Sequence, residues 1–190
     1  MPQMTPQYQT KFGGSSSTIQ KDALGRVITK ENDKQKQKYL LNIHNILNGK
    51  DKRTSLMIRN IPNKYNQNML VQELDERHKG LYDYLYLPID PKNRCNWGYA
   101  FINVVHPIII LSLFMQFNGK SWKNFNSEKI CELTYGRLQG KTQLLKQLEG
   151  SGVMQQSDSA KKPLIFETIQ PTKEQLEKIK KDFIKTYSFP

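Results

Sequence analysis

Cysteine is scarce: Cys95 and Cys131 are the only two in 190 residues. One pair makes no disulfide framework, and two thiols alone cannot close a structural zinc site. The three histidines, His44, His78 and His106, add no recognisable ligand spacing. The expectation is no metal, no cofactor and a reducing compartment, the nucleus, the cytoplasm or both. No apolar run approaches the roughly 18 residues of a membrane span. The opening MPQMTPQYQTKFGG lacks the apolar stretch of a secretory leader, so secretion is not expected. No membrane partner is expected either. No Ser-His-Asp set or suitably spaced carboxylate pair is present, which speaks against an enzyme. GRLQGKT (136–142) has three residues between its glycines where a phosphate-binding loop needs four. Acidic residues are also few, 17 against 29 basic ones, for a net charge of +12. A polyanion is the first partner class to consider. Apolar residues make up 37% of the chain, so part of it should lack a core.

That part is the beginning. Residues 1–37 are rich in Gln, Lys, Ser and Thr and show no apolar period, and they read as a disordered basic tail. Tyr39, Leu40, Ile43, Ile46 and Leu47 then recur at helical spacing, a short helix over 38–49 that Gly49 stops. LMIRNI (56–61) alternates as a strand. Asn66 caps a helix that carries Met69, Leu70, Leu74 and His78 and closes at Gly80. YDYLYLPI (82–89) and WGYAFINV (97–104) are two further strands. His106-Pro107 opens a helix that is apolar almost all round through Phe117, and KICELTY (129–135) is a fourth strand.

The order strand, helix, strand, strand, helix, strand predicts an α+β, ferredoxin-like βαββαβ fold over 50–140. It is a four-stranded antiparallel sheet with two helices on one face. A C-terminal extension over 141–170 should hold a short helix and a candidate edge strand in PLIFETI (163–169). Thr172 and Gln175 form a capping box for an amphipathic C-terminal helix over 171–190, with Leu176, Ile179, Phe183 and Tyr187 on one stripe.

The helices leave one sheet face open. On the third strand, Gly98, Tyr99, Ala100 and Phe101 fit the signature of RNA-recognition folds, while Trp97 and Val104 depart from it. Alternation puts Tyr99 and Phe101 on the face opposite Ala100 and Ile102. Such a face stacks the bases of single-stranded RNA or of an RNA loop. The first strand lies beside the third, so Met57 and Arg59 join that surface. Tyr84 and Tyr86 extend it outward, and Arg59 and Arg94 supply cations for phosphates. Trp97 is read either as a stacking ring or as a loop residue packed on its own hairpin.

RTSLMIRNIPNKY (53–65), HKGLYDYLYLPIDPKNRCNWGYAFIN (78–103) and FNGKSWKNFNSEKICELTYGRLQGK (117–141) resemble the C-terminal RNA-recognition motif of the Mei-two-like family. That family is named for a fungal RNA-binding regulator that starts meiosis and has plant and protist relatives. The resemblance covers about 50–166. It implies an RNA-recognition fold, RNA binding without catalysis and a regulatory role of meiotic type. It places the functional positions on Met57, Arg59, Asn60, Tyr99 and Phe101. Met57, which has no ring, is similar to the family's usual residue there. Larger members carry two further such motifs upstream, for which this chain has no room.

Two readings stay open. In the first, a monomer binds single-stranded RNA through the aromatic face. In the second, the same fold is a protein-interaction module, with a partner docked through the C-terminal helix. Tyr99 and Phe101 could also pack beneath the helix at 141–148 or the one at 172–187. Charge by segment is +5 over 1–50, +5 over 51–150 and +2 over 151–190, so its density is highest in the leader.

Overall fold

Strand alternation, read through the pairing register, divides this chain into a face that packs and a face that does not. A computed structural model describes residues 20–21, 27–28, 37–155, 158 and 161–188. The chain forms two units, Met1–Lys38 and Tyr39–Pro190. In the first, β1 (Gln20–Lys21) pairs antiparallel with β2 (Val27–Ile28), Gln20 opposite Ile28 and Lys21 opposite Val27. Most of the expected tail over 1–37 lies outside the described residues.

The second unit opens with α1 (Ile43–Leu47), shorter than the expected helix over 38–49. Asn42 explains the break. Its backbone is extended, and its side chain accepts from the Asn45 amide, so a new cap starts there. Gly49, at φ 66°, ends the turn. Then follow β3 (Ser55–Arg59), α2 (Gln67–His78), β4 (Tyr82–Tyr86), β5 (Tyr99–Val104), α3 (Ile109–Phe117) and β6 (Glu132–Tyr135). After these come α4 (Lys141–Glu149), β7 (Leu164–Ile165) and α5 (Lys173–Tyr187). The sheet order is β6-β3-β5-β4-β7, every neighbouring pair antiparallel. This is the expected α+β, ferredoxin-like arrangement with one more strand than the four foreseen: the edge-strand candidate pairs with β4.

The packed face is aliphatic. Leu56 lies opposite Ile102, Ile58 opposite Ala100 and Leu133, and Leu85 opposite Ile102. These residues are buried in one cluster with Leu70 and Leu74 of α2 and Ile109, Ile110 and Leu113 of α3. Each buried Leu or Ile contributes about 1.5–3 kcal/mol, so this face fixes the register of the whole sheet. His78, the last residue of α2, is buried at 1% exposure. Burial holds its pKa down at about 4, and its Nε2 pairs with Ser112 Oγ at 2.9 Å.

The C-terminal helix uses the predicted capping box: the Gln175 amide donates to Thr172 Oγ1 and the Thr172 amide to Gln175 Oε1. Its apolar stripe is taken up in part inside the chain. Phe183 is 1% exposed, lies 6.0 Å from the Phe114 ring of α3 and stacks on Tyr187 at 4.7 Å. Phe183 and one edge of Tyr187 pack on α3, while Ile184 and Tyr187 stay 42% and 41% exposed. This packing also explains why α3 is apolar almost all round: one side meets the sheet and another meets α5.

Candidate nucleic-acid interface

The other sheet face carries three rows of side chains, set by the register. Glu132, Arg59 and Tyr99 form the first row. Thr134, Met57, Phe101 and Tyr86 form the second. Ser55, Asn103, Tyr84 and Ile165 form the third. Same-face residues along a strand stand about 6.6–6.8 Å apart, so each row is one step from the next. Met57, Arg59, Tyr86, Tyr99 and Phe101, five of the residues expected at the site, are thereby brought onto two adjacent rows. The Tyr99 and Phe101 rings meet edge to face at 5.6 Å.

Exposure falls from the first row to the middle of the third, although Thr134 in the second is buried and Ile165 at the edge of the third is 46% exposed. Arg59 is exposed and Tyr99 half-buried in the first row, and Met57, Phe101 and Tyr86 are half-buried in the second. In the third, Ser55, Asn103 and Tyr84 are buried, Tyr84 at 1%. The expectation that Tyr84 extends an open platform is corrected here. α4 lies over the third row, with Leu144 and Leu148 packed on Tyr84 and with Leu145, Tyr86 and Phe101 at the margin. Burial raises the pKa of both Tyr84 and Tyr86.

Hydrogen bonds fasten this roof at its start. Gln139 Oε1 accepts from the Thr54 and Ser55 amides, both at 3.0 Å, and its Nε2 donates to the Ser55 and Gly136 carbonyls. The Gly140 amide donates to Ser55 Oγ, which donates in turn to Asn103 Oδ1. Asn103 Nδ2 then donates to Asp83 Oδ1. Sequence reasoning missed Gln139, Ser55 and Asn103. The period of two already put Ser55 and Asn103 on the face of Met57 and Phe101, and polar residues there were the available signal.

A bulge explains why the two tyrosines at the start of β4 part company. The β4–β5 register shifts between Tyr82, opposite Val104, and Tyr84, opposite Asn103. Tyr82 therefore belongs to the packed face, where its hydroxyl donates to Asp75 Oδ1 of α2.

The open end of the face has its own geometry. Arg59 Nη1 lies 3.3 Å from Glu132 Oε2, with both side chains 46% exposed. Such a pair is worth about 0–1 kcal/mol, so a phosphate can replace Glu132 at small cost. Asn60 has φ 60° and donates from Nδ2 to the Ile130 carbonyl, which ties the end of β3 to the segment before β6. Trp97 is 59% exposed. Its neighbours set it there. Asn96 is 1% exposed, donates to the Pro62 and Tyr65 carbonyls and accepts from the Gly98 amide. Gly98, at φ 86°, turns the chain into β5. The structure thus shows Trp97 as an exposed ring and not one packed on its hairpin. Sequence reasoning also missed Asn96 as the anchor of this turn. Arg94 is not brought onto the rows. It borders a separate cavity of about 380 Å³ with Asn66, Gln67 and Ile89.

Among the described residues no three His, Cys, Asp or Glu side chains gather as a metal site, and no helix is long and apolar enough to cross a membrane. Cys131 is a buried thiol whose pKa burial raises to about 12.

The family model for RNA recognition motif 2 matches residues 53–149, from just before β3 to the end of α4. The chain belongs to that family. It is 52% identical over 136 residues to Protein MEI2-like 1 of Arabidopsis thaliana, across 72% of this chain and 15% of that protein. It is 49% identical over 136 residues to Protein MEI2-like 2 of Oryza sativa subsp. japonica, across 72% and 16%. It thus spans about a sixth of the length of these curated relatives. The Mei-two-like resemblance and the RNA-recognition fold both hold. Among solved structures, it aligns with the Rna15 RRM with bound RNA at a TM-score of 0.39 and 15% identity, covering 50% of this chain and 96% of that one. A Sex-lethal protein/RNA complex aligns at 0.38 and 20%, covering 47% and 50%. An RNA recognition motif 2 chain is an RNA-binding module, and a non-enzymatic reading fits it.

Proposed function

We propose that this chain binds single-stranded RNA, or the loop of a folded RNA, on the first two rows of its open sheet face. Bases stack on Tyr99 and Phe101, with Met57 and Tyr86 beside them and Trp97 as an outlying ring. Arg59 exchanges Glu132 for a backbone phosphate. Asn60 shapes the end of β3 and reaches RNA only through the turn it holds. Arg94 serves phosphates beyond the rows. The observation that carries this reading is the adjacency of Met57, Phe101 and Tyr86 in one half-open row beside Tyr99. A ring that stacks one base contributes about 1–3 kcal/mol.

The protein acts as a monomer and a post-transcriptional regulator in the nucleus, the cytoplasm or both. The names of its MEI2-like relatives support a meiotic-type role. The test is RNA affinity by fluorescence anisotropy. Tyr99→Ala and Phe101→Ala, each with an unchanged melting temperature, should weaken binding about 5- to 150-fold. Wild-type affinity in both folded variants rules the stacking surface out. A protein-interaction role on the same fold predicts instead that partners stay bound after RNase treatment.

A further inference from the structure

α4 does more than cover the third row. Between it and the sheet a cavity of about 170 Å³ remains, open on one side. Tyr84 and Phe101 form its floor, Leu144 and Leu148 its wall, and Arg137 and Gln147 its rim. The volume is several times the ~30 Å³ share of one water and below the ~300 Å³ where drug-sized pockets begin. Its walls are apolar and its floor is aromatic, which suits one flat ring. The rim is polar. Arg137 is exposed and makes no ion pair among the described residues, so its guanidinium is available to donate. Gln147, also exposed, both donates and accepts.

The slot is held in shape by the chain around it. The Gly136 amide donates to the Ser55 carbonyl, and a Cβ at Gly136 would come within 3.3 Å of the Leu138 carbonyl oxygen and 3.5 Å of that of Ser55. A larger residue would make the Leu138 carbonyl give by a few tenths of an ångström, so glycine eases this tight turn, which sets Arg137 at the rim. Gln139 then pins the next step with four hydrogen bonds, three to Thr54 and Ser55 at the start of β3 and one to the Gly136 carbonyl.

We propose that this slot receives one nucleobase of the bound RNA and reads its edge. The proposal rests on the stacking surface above and continues it, since Phe101 belongs both to the second row and to the slot floor. A base entering here stacks on Phe101 and is walled by α4. A guanidinium donates and never accepts, so the rim favours bases that present a carbonyl, uracil, guanine and cytosine, over adenine, which has none. α4 in this role is a selectivity element added to a platform that by itself tolerates any base.

The test is selection of a randomised single-stranded RNA decamer pool by the full chain, with sequencing of the bound fraction. Gln147→Trp places a ring across the slot, and Arg137→Ala removes the donor. Both sites are exposed, and unchanged melting temperatures confirm that both variants fold. In Gln147→Trp, enrichment of the preferred base should fall about tenfold at one position while the others keep theirs. Arg137→Ala should flatten the carbonyl preference at that same position. Preferences unchanged at every position in both variants, or weakened equally at all of them, overturn the proposal. Tyr99→Ala separates the two levels. If only the slot is wrong, Tyr99→Ala loses enrichment while Gln147→Trp keeps the wild-type motif. If the stacking surface is wrong, Tyr99→Ala keeps that motif. A wild-type chain that enriches no sequence overturns the slot as well.

Discussion

Arg59 and Glu132 show how a single side chain can tune the open face. The pair is half exposed and weak, yet Glu132 is the carboxylate that any phosphate must displace. Glu132→Gln should therefore raise RNA affinity by about two- to threefold, more at low salt, with little change in folding stability. Anisotropy titrations at two salt concentrations check this. His78 sets a different dependence. Its folded pKa of about 4 lies below the ordinary histidine value near 6.5, because burial disfavours the charged ring. The unfolded chain binds the proton more readily in that interval, so stability is lost as pH falls from 6.5 toward 4. The loss by pH 5 should be about 2 kcal/mol, and His106, also held down by burial, adds to it. Urea unfolding at pH 7 and pH 5 measures it. His78→Gln should shrink the difference, and an equal loss in the variant would show that His78 is not its source.

The elements were legible to different degrees. Leu56 and Ile58 against Met57 and Arg59, and Ala100 and Ile102 against Tyr99 and Phe101, follow from a period of two. So the packed and open faces could be read directly. The bulge that separates Tyr82 from Tyr84 could not, because it depends on which residue of β5 each one meets. The sequence left open whether the helix at 141–148 covers the face, and which row it covers could not be read for a similar reason. Leu144 and Leu148 mark an amphipathic turn, but Gln139, which anchors it, pairs with amides 84 and 85 residues away. Asn96 likewise reads as a loop residue until its carbonyl partners 31 and 34 residues upstream are known. Gln139→Ala leaves the Thr54 and Ser55 amides without their acceptor, which costs about 1–3 kcal/mol. Hydrogen exchange should then quicken over α4 while β3 and β5 stay protected. Unchanged protection in α4 would mean that the leucines alone hold it.

Across the second unit, the sheet separates two layers with different tasks. The helical side is closed: α2 and α3 fill it, and α5 covers α3 through Phe183. Phe183→Ala should cost about 3–5 kcal/mol of folding stability, with RNA affinity unchanged where the variant remains folded. The opposite side keeps two half-open rows and a roofed third. The domain core, 51–150, has a net charge of only +5, so the claim on RNA rests on these rows more than on charge. Amide chemical-shift mapping with a single-stranded RNA is the most direct measurement of that claim. Shifts should concentrate at Met57, Arg59, Tyr86, Trp97, Tyr99 and Phe101, and stay small over α3 and α5. Shifts concentrated on α3 and α5, with the two rows silent, would contradict it.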